Sequence, residues 1–391
     1  LQFLRAKQML LVLDNFEHLL TDPASITLIS DLLHGAPALK LLVTSREQLG
    51  IQAEWVFDVQ GLALPVSAQQ AALQASSAAQ LFLQCVRRVH QGFTFSAEDQ
   101  AAVVRICKLV EGLPLGIELA ASWARTLACQ EIAHEIQNNL DFLATSARNV
   151  PDRHRSIRAV FDYSWQLLTP EEQRVLRRLS IFWGGFSREA AEAVAGASLS
   201  MLAIFVAKSL LYRRETSRYD LHELVRQYAL EHLRQDEQEY TQLQQRHSQY
   251  YTTLLERRGQ GFKGSERPMV VAELTAELAN LRLGWHWAAT HQQIKEINQA
   301  ADTLFWLYES RSNCREGVPL FELAVQNLQT SEILSSTAAG SATWEYQLAL
   351  AQTLSYQGFF CFRQGQHPQG RDLLQHSLTL LRALAETQPD A

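Results

Sequence analysis

No stretch of the 391-residue sequence offers the roughly 18 uninterrupted apolar residues that a spanning helix needs. The longest candidate, LSMLAIFVAKSLLY at 199–212, is cut by Lys208, so no membrane partner is expected. No signal peptide is expected from these residues either, because Arg5 and Lys7 precede only a short apolar run that ends in Asp14. The sequence has no Cys-x-x-Cys pair. Cys85, Cys107, Cys129, Cys314 and Cys361 are widely spaced and odd in number, which suits a reducing cytoplasm. Charge of one sign is lacking: a net −6 gives no global reason to expect nucleic-acid binding. Several catalytic signatures are absent as well. There is no G-x-S-x-G nucleophile elbow. His134-Glu135 and His222-Glu223 begin like zinc-protease motifs, but Asn138 and Arg226 stand where the second histidine belongs. GQGFKG at 259–264 satisfies G-x-G-x-x-G yet follows the helical stretch ending ERR, so it reads as a loop rather than a dinucleotide site. Leu1 is not an initiator, so the chain reads as a fragment or a processed form.

What is present describes a mixed protein. The length implies two to four domains, and 47% hydrophobic with 19% charged residues fits a packed globular chain. QMLLVLD (8–14) and LKLLVTS (39–45) are too short for helices and apolar on both faces, like strands of a helix-covered parallel sheet. EWVFDV (54–59) reads as a third strand. From about residue 63 the pattern is helical, with Ser96 as an N-cap over Asp99 and a break at Gly112 and Pro114. A third region opens near Pro151. It carries a capping box at Thr169–Glu172, then the apolar segment SMLAIFVAKSL, which should be buried, then two strands about the polar turn 215–217. Helices followed by a hairpin are the order of a winged helix. The apolar segment before the hairpin argues against DNA binding by this chain, although Arg213, Arg214 and Arg218 could meet phosphate. From about 236 onward everything is helical. GVPLFELAVQNL (317–328) and GRDLLQHSLTLL (370–381) match in apolar positions, and each follows an aromatic-rich helix. That is a degenerate tetratricopeptide-like array with a long loop at 330–343. Trp285, Trp287, Phe305, Trp306 and Tyr308 sit at helical spacing and read as core.

Asp14 closes a strand in which no polar residue shares the cost of its charge. In open parallel sheets the carboxyl ends of strands form the ligand crevice. There an acid can hold magnesium in a nucleotide hydrolase, or simply cap the next helix. LLVTSRE ends the next strand in Thr44, Ser45 and Arg46, and a guanidinium at that tip could sense a terminal phosphate.

LLVLDNFEHLL, LLVTSRE, GLPLGIELAA and LHELVRQYA, in that order, resemble signatures of the signal-transduction ATPases with numerous domains (STAND), the group containing NB-ARC switches and many bacterial regulators. The resemblance covers about residues 1–235. It implies a partial α/β P-loop NTPase sheet (1–62), a helical domain with the GLPL motif (63–150) and a winged helix (151–235), ahead of the all-α tetratricopeptide-like superhelix read from the residues (236–391). By resemblance Asp14 is the Walker B acid holding magnesium through water, with Asn15 beside it, and Arg46 is the sensor arginine. Pro114 packs on the nucleotide base, and His222 contacts the β-phosphate of ADP. Glu223 stands where many relatives have Asp. Hydrolysis should be slow, because Asn15 is a poor base; Glu17 is a possible substitute. The family's glycine-lysine phosphate loop is missing, since no G-x-x-x-x-G-K-[ST] occurs. The expectation is a chain without the Walker A half of its nucleotide domain, belonging to an intact protein that uses ADP or ATP with magnesium, while this chain binds neither tightly. A protein or small-molecule inducer at the repeats and self-assembly on activation are implied. The rival reading is a non-enzymatic helical scaffold with a vestigial nucleotide fold.

Overall fold

The computed structural model describes residues 3–14, 16–20, 22–90, 96–144, 156–214, 217–330 and 341–387. The chain is mostly helical and divides into two compact units. One comprises Leu1–Leu176 with Ala197–Ala229, the other Arg177–Gly196 with Leu230–Ala391.

The first unit opens with β1 (Met9–Leu13), α1 (Pro23–Gly35) and β2 (Leu39–Val43). The two strands pair in parallel, Met9 opposite Leu39 through Leu13 opposite Val43. A parallel pair needs a crossover, and α1 supplies it. Asp22 caps this helix by accepting the Ala24 N–H at 3.0 Å. Ile29, Ala36 and Leu39 are buried, but Leu10, Val12 and Leu42 are each more than half exposed. The strands are therefore apolar on both faces, as expected, without being covered on both. Residues 54–59 form no strand, contrary to expectation. Trp55, Phe57 and Val59 stand almost fully exposed, and β-branched and aromatic content cannot make a strand without a ladder partner.

A helical layer follows: α2 (Gln70–Ala75), α3 (Ser77–Val89), α4 (Ala97–Leu109), α5 (Pro114–Ser122) and α6 (Cys129–Asn138). Ser96 and Asp99 form the capping box read from sequence. The core of this layer gathers Phe82, Val86, Val103, Ile106, Ile117 and Ile132, all fully buried. Among the described residues all five cysteines are free. Burial pushes the Cys107 and Cys129 thiols up to about 12, so neither is a nucleophile at neutral pH.

Next come α7 (Ile157–Gln166) and α8 (Pro170–Leu179), the latter with the expected box: the Thr169 N–H donates to Glu172 Oε2 at 2.7 Å. A short turn of helix, α9 (Arg188–Ala190), belongs to the second unit. α10 (Leu199–Ala207) returns to the first. It is only half-buried, with Leu202 and Phe205 inside but Leu199 and Ile204 exposed, so the expectation of a wholly buried helix is corrected. β3 (Leu211–Arg213) and β4 (Tyr219–Leu221) pair antiparallel, and α11 (Glu223–Arg234) follows. Residues 215 and 216 of the expected turn lie outside the described residues. Near the hairpin, Arg213 donates to Ser217 Oγ at 3.1 Å and Arg214 pairs with Asp220.

The second unit continues with α12 (Glu237–Gly259), α13 (Arg267–Ala276), α14 (Leu278–Thr290), α15 (Ile294–Ser310), α16 (Cys314–Gln329), α17 (Ser341–Arg363) and α18 (His367–Thr387). α14 packs on α16 and α15 on α17, while α16, α17 and α18 pack successively, the pattern of stacked helix pairs. The two matching segments fall in α16 and α18. The long loop expected at 330–343 lies, from 331 to 340, outside the described residues. Trp285, Phe305, Tyr308 and Trp287 are core as expected, whereas Trp306 is 38% exposed. GQGFKG begins at Gly259, the last residue of α12, and continues into a short 3-10 turn, so a helix and not a strand precedes it.

Candidate functional site

Two strand tips lie side by side at the carboxyl ends of β1 and β2. Asp14 is exposed just beyond β1, and its Oδ1 accepts the hydroxyl of Thr44, just beyond β2. The main chain holds this geometry, because the Thr44 N–H donates to Leu13 O and the Phe16 N–H donates to Thr44 O, both at 2.9 Å. Among the described residues Asp14 makes no bond to an N–H of the following turn, so it is not acting as a helix cap. Asn15 lies outside the described residues.

Arg46 is two residues past Thr44. Its Nε faces Glu17 Oε1 at 3.6 Å, and Glu17 is buried. Its Nη1 donates to Ser164 Oγ at 2.8 Å and Val160 O at 3.3 Å, both on α7. Arg46 thus ties the strand tip to the helix rather than standing open to solvent. Service of Glu17 as a base would require that ion pair to open.

The GLPL segment is set by a close backbone crossing. Gly112 has φ +71°, and a Cβ placed on it would lie 2.3 Å from Leu62 O; one placed on Gly61 would lie 2.3 Å from Glu111 O. Leu62 N–H donates to Gly112 O at 2.9 Å across the same crossing. Pro114 then occupies the first helical position of α5, where its missing N–H costs nothing, and its ring is exposed.

His222 lies directly before α11 with its ring 4.8 Å from that of Tyr212. Its Nδ1 meets Glu111 Oε2, while the Glu223 N–H donates to Glu111 Oε1 at 2.7 Å. One carboxylate therefore fills both the imidazole and the first free N–H of the helix, the sort of position anions favour. Glu111 has φ +49°, so a non-glycine residue holds the left-handed region to make this contact. Glu223, in the position of the family's Asp, turns back on its own helix and binds Arg226 in fork fashion at 2.8 and 2.6 Å. Sequence reasoning missed Glu111, because a single acid before a glycine carries no periodic signal. α7 and α11 are joined by Tyr228, whose hydroxyl donates to Asp162 Oδ1 at 2.6 Å and whose ring lies 5.7 Å from that of Trp165. Arg46, Ser164, Asp162, Tyr228, His222 and Glu111 thus stand on one chain of packed elements within the first unit. Among the described residues, Asp14 contributes a single carboxylate at the strand tips and the position at His222 is taken by Glu111. Among the described residues, no group of three His, Cys, Asp or Glu is placed to hold a metal.

No family model matches the chain. It is 34% identical over 347 residues, 86% of its length, to proteins named "Putative HTH-type transcriptional regulator" in Mycobacterium bovis and Mycobacterium tuberculosis, covering 38% of each. It is likewise 34% identical over 237 residues, 58% of its length, to an uncharacterized Mycobacterium bovis protein, covering 57% of that protein. The chain spans well under half the length of the first of these curated relatives. Among solved structures, a STAND protein with a tetratricopeptide repeat sensor from Pyrococcus horikoshii aligns over 98% of this chain and 63% of that one, with 13% identity and a TM-score of 0.22. A superposition that loose carries no argument about fold.

Proposed function

We infer that the chain is part of a STAND-class nucleotide switch that serves as a transcriptional regulator or signal sensor. The observation that carries this reading is the parallel pairing of β1 and β2, which puts Asp14 and Thr44 in hydrogen-bond contact at adjacent carboxyl ends, with Arg46 two residues further on. The mycobacterial relatives named as HTH-type regulators support the regulatory half of the reading. In this scheme residues 1–62 complete a nucleotide-binding sheet, 63–150 form the helical domain, 151–235 the winged helix, and 236–391 the sensor arm. Asp14 would hold magnesium through water, and ADP or ATP would lie against Pro114. An intact switch would work in the cytoplasm and self-assemble when an inducer engages the repeats. The hairpin arginines are occupied by Ser217 and Asp220, so DNA contact is not assigned to it.

The first test is calorimetry of the 391-residue chain with ADP and ATP in the presence of magnesium. Since a glycine-lysine loop supplies most of the phosphate donors and none occurs here, the expected Kd is weaker than about 1 mM. Micromolar, magnesium-dependent binding would refute the assignment of the phosphate anchor to residues other than these. A second test addresses the latch. In a polypeptide that carries a phosphate loop ahead of β1, His222→Ala should speed ADP release about tenfold or more and promote assembly without inducer, since a latch shifts populations only by its contact difference between states. A folded variant that stays monomeric and keeps ADP like the parent leaves the scaffold reading in its place.

A further inference from the structure

A cavity lies within the second unit, distant in sequence from the strand tips. It has a volume of about 270 Å³ and is walled by the 180–183 segment, the last turn of α11, the start of α12 and the middle of α14. Its lining is unusually aromatic. Trp183, Tyr240, His247, His286 and Trp287 all contribute, and Arg234 stands at the same wall. Among the described residues no acidic side chain lines it.

The polar atoms are arranged for a visitor. Asn280 receives the Trp183 N–H on Oδ1 at 2.9 Å and gives its Nδ2 to Gly185 O at 2.9 Å, which fixes the amide orientation. His247 Nε2, 3.4 Å from that same oxygen, therefore carries the proton. His247 is 2% exposed, and burial pushes its pKa down to about 4, so the ring is neutral near pH 7. Its other nitrogen, Nδ1, is then a hydrogen-bond acceptor that no described residue uses. Trp287 is 8% exposed and its Nε1–H has no hydrogen-bond partner among the described residues. Buried indoles ordinarily find one. Arg234 lies over the Tyr240 ring at 5.7 Å and forms no ion pair among the described residues.

We propose that this cavity is a binding site for a small planar aromatic carboxylate bearing a ring-attached N–H. The aromatic walls sandwich the ring, the unpaired Arg234 takes the carboxylate, and His247 Nδ1 accepts the N–H. The volume lies just below the range of about 300–1,000 Å³ that suits drug-sized ligands, so a one-ring or compact two-ring molecule is the match. The site does not depend on the nucleotide reading.

The experiment uses the 391-residue chain and two probes of nearly equal shape, anthranilate and its neutral amide, followed by calorimetry and ligand-observed NMR. Anthranilate should bind saturably at one site and at least tenfold more tightly than the amide. Arg234→Gln, at an exposed position, should erase that preference while leaving the thermal melt unchanged. Leu283→Trp, which fills the cavity from a position 38% exposed, should abolish binding of both. The proposal is overturned if the parent binds neither probe saturably up to about 5 mM, if it binds both equally, or if binding survives Leu283→Trp in a protein with a parental melt.

Discussion

Gly112→Ala should lower the stability of the first unit by about 2–4 kcal/mol. The left-handed backbone alone costs a non-glycine residue about 1–3 kcal/mol. The new methyl would also press against Leu62 O at 2.3 Å, a main-chain atom that cannot swing aside. The variant should therefore unfold at lower denaturant, with the slope of the transition unchanged for that unit. Relief of the clash would separate residues 61–62 from 111–112 and draw Glu111 away from His222. Chemical shifts of the His222 ring should move even under conditions where the variant remains folded. A variant with parental stability and an unmoved His222 signal would mean that the crossing is not rigid.

Asp14→Ala carries the largest functional effect. In a polypeptide with a phosphate loop ahead of β1, loss of the magnesium acid should cut magnesium-dependent turnover at least about a hundredfold, close to 3 kcal/mol of transition-state stabilisation. The fold should survive, because Asp14 is exposed and its one described partner is the Thr44 hydroxyl. Turnover assays with a manganese comparison, alongside circular dichroism, check both halves. Unchanged magnesium-dependent turnover would reduce Asp14 to a strand-end residue bridging to Thr44.

These effects divide along what the sequence could and could not disclose. Asp14, Thr44 and Arg46 were readable because an apolar run that stops on a charge marks the end of a strand, and two such runs in order imply neighbouring tips. The Ser96 and Thr169 caps were readable for a similar reason: each is a local bargain between side chain and N–H groups three residues on. Residues 54–59 misled because composition reports a liking for sheets, while a strand exists only where a partner ladder exists. α10 misled in the opposite sense, since apolar residues on every side do not guarantee that every side is covered. Glu111 was illegible. Its importance comes from a positive φ and from a partner 111 residues away, neither of which leaves a periodic mark. The aromatic cavity was hidden for the same reason, being assembled from four separate segments.

The Glu111 contact has a consequence for any ligand that seeks the head of α11. A carboxylate held on the same polypeptide competes as though present at millimolar concentration or above. An incoming anion must first evict it, so the measured dissociation constant is the intrinsic one divided by the fraction of molecules in which Glu111 has swung away. If that fraction were about one in a hundred, the penalty would be about 2.7 kcal/mol. On the proposed reading Glu111 would act as a tethered competitor, whose strength a single neutralising substitution at Glu111 would reveal as a gain in anion affinity.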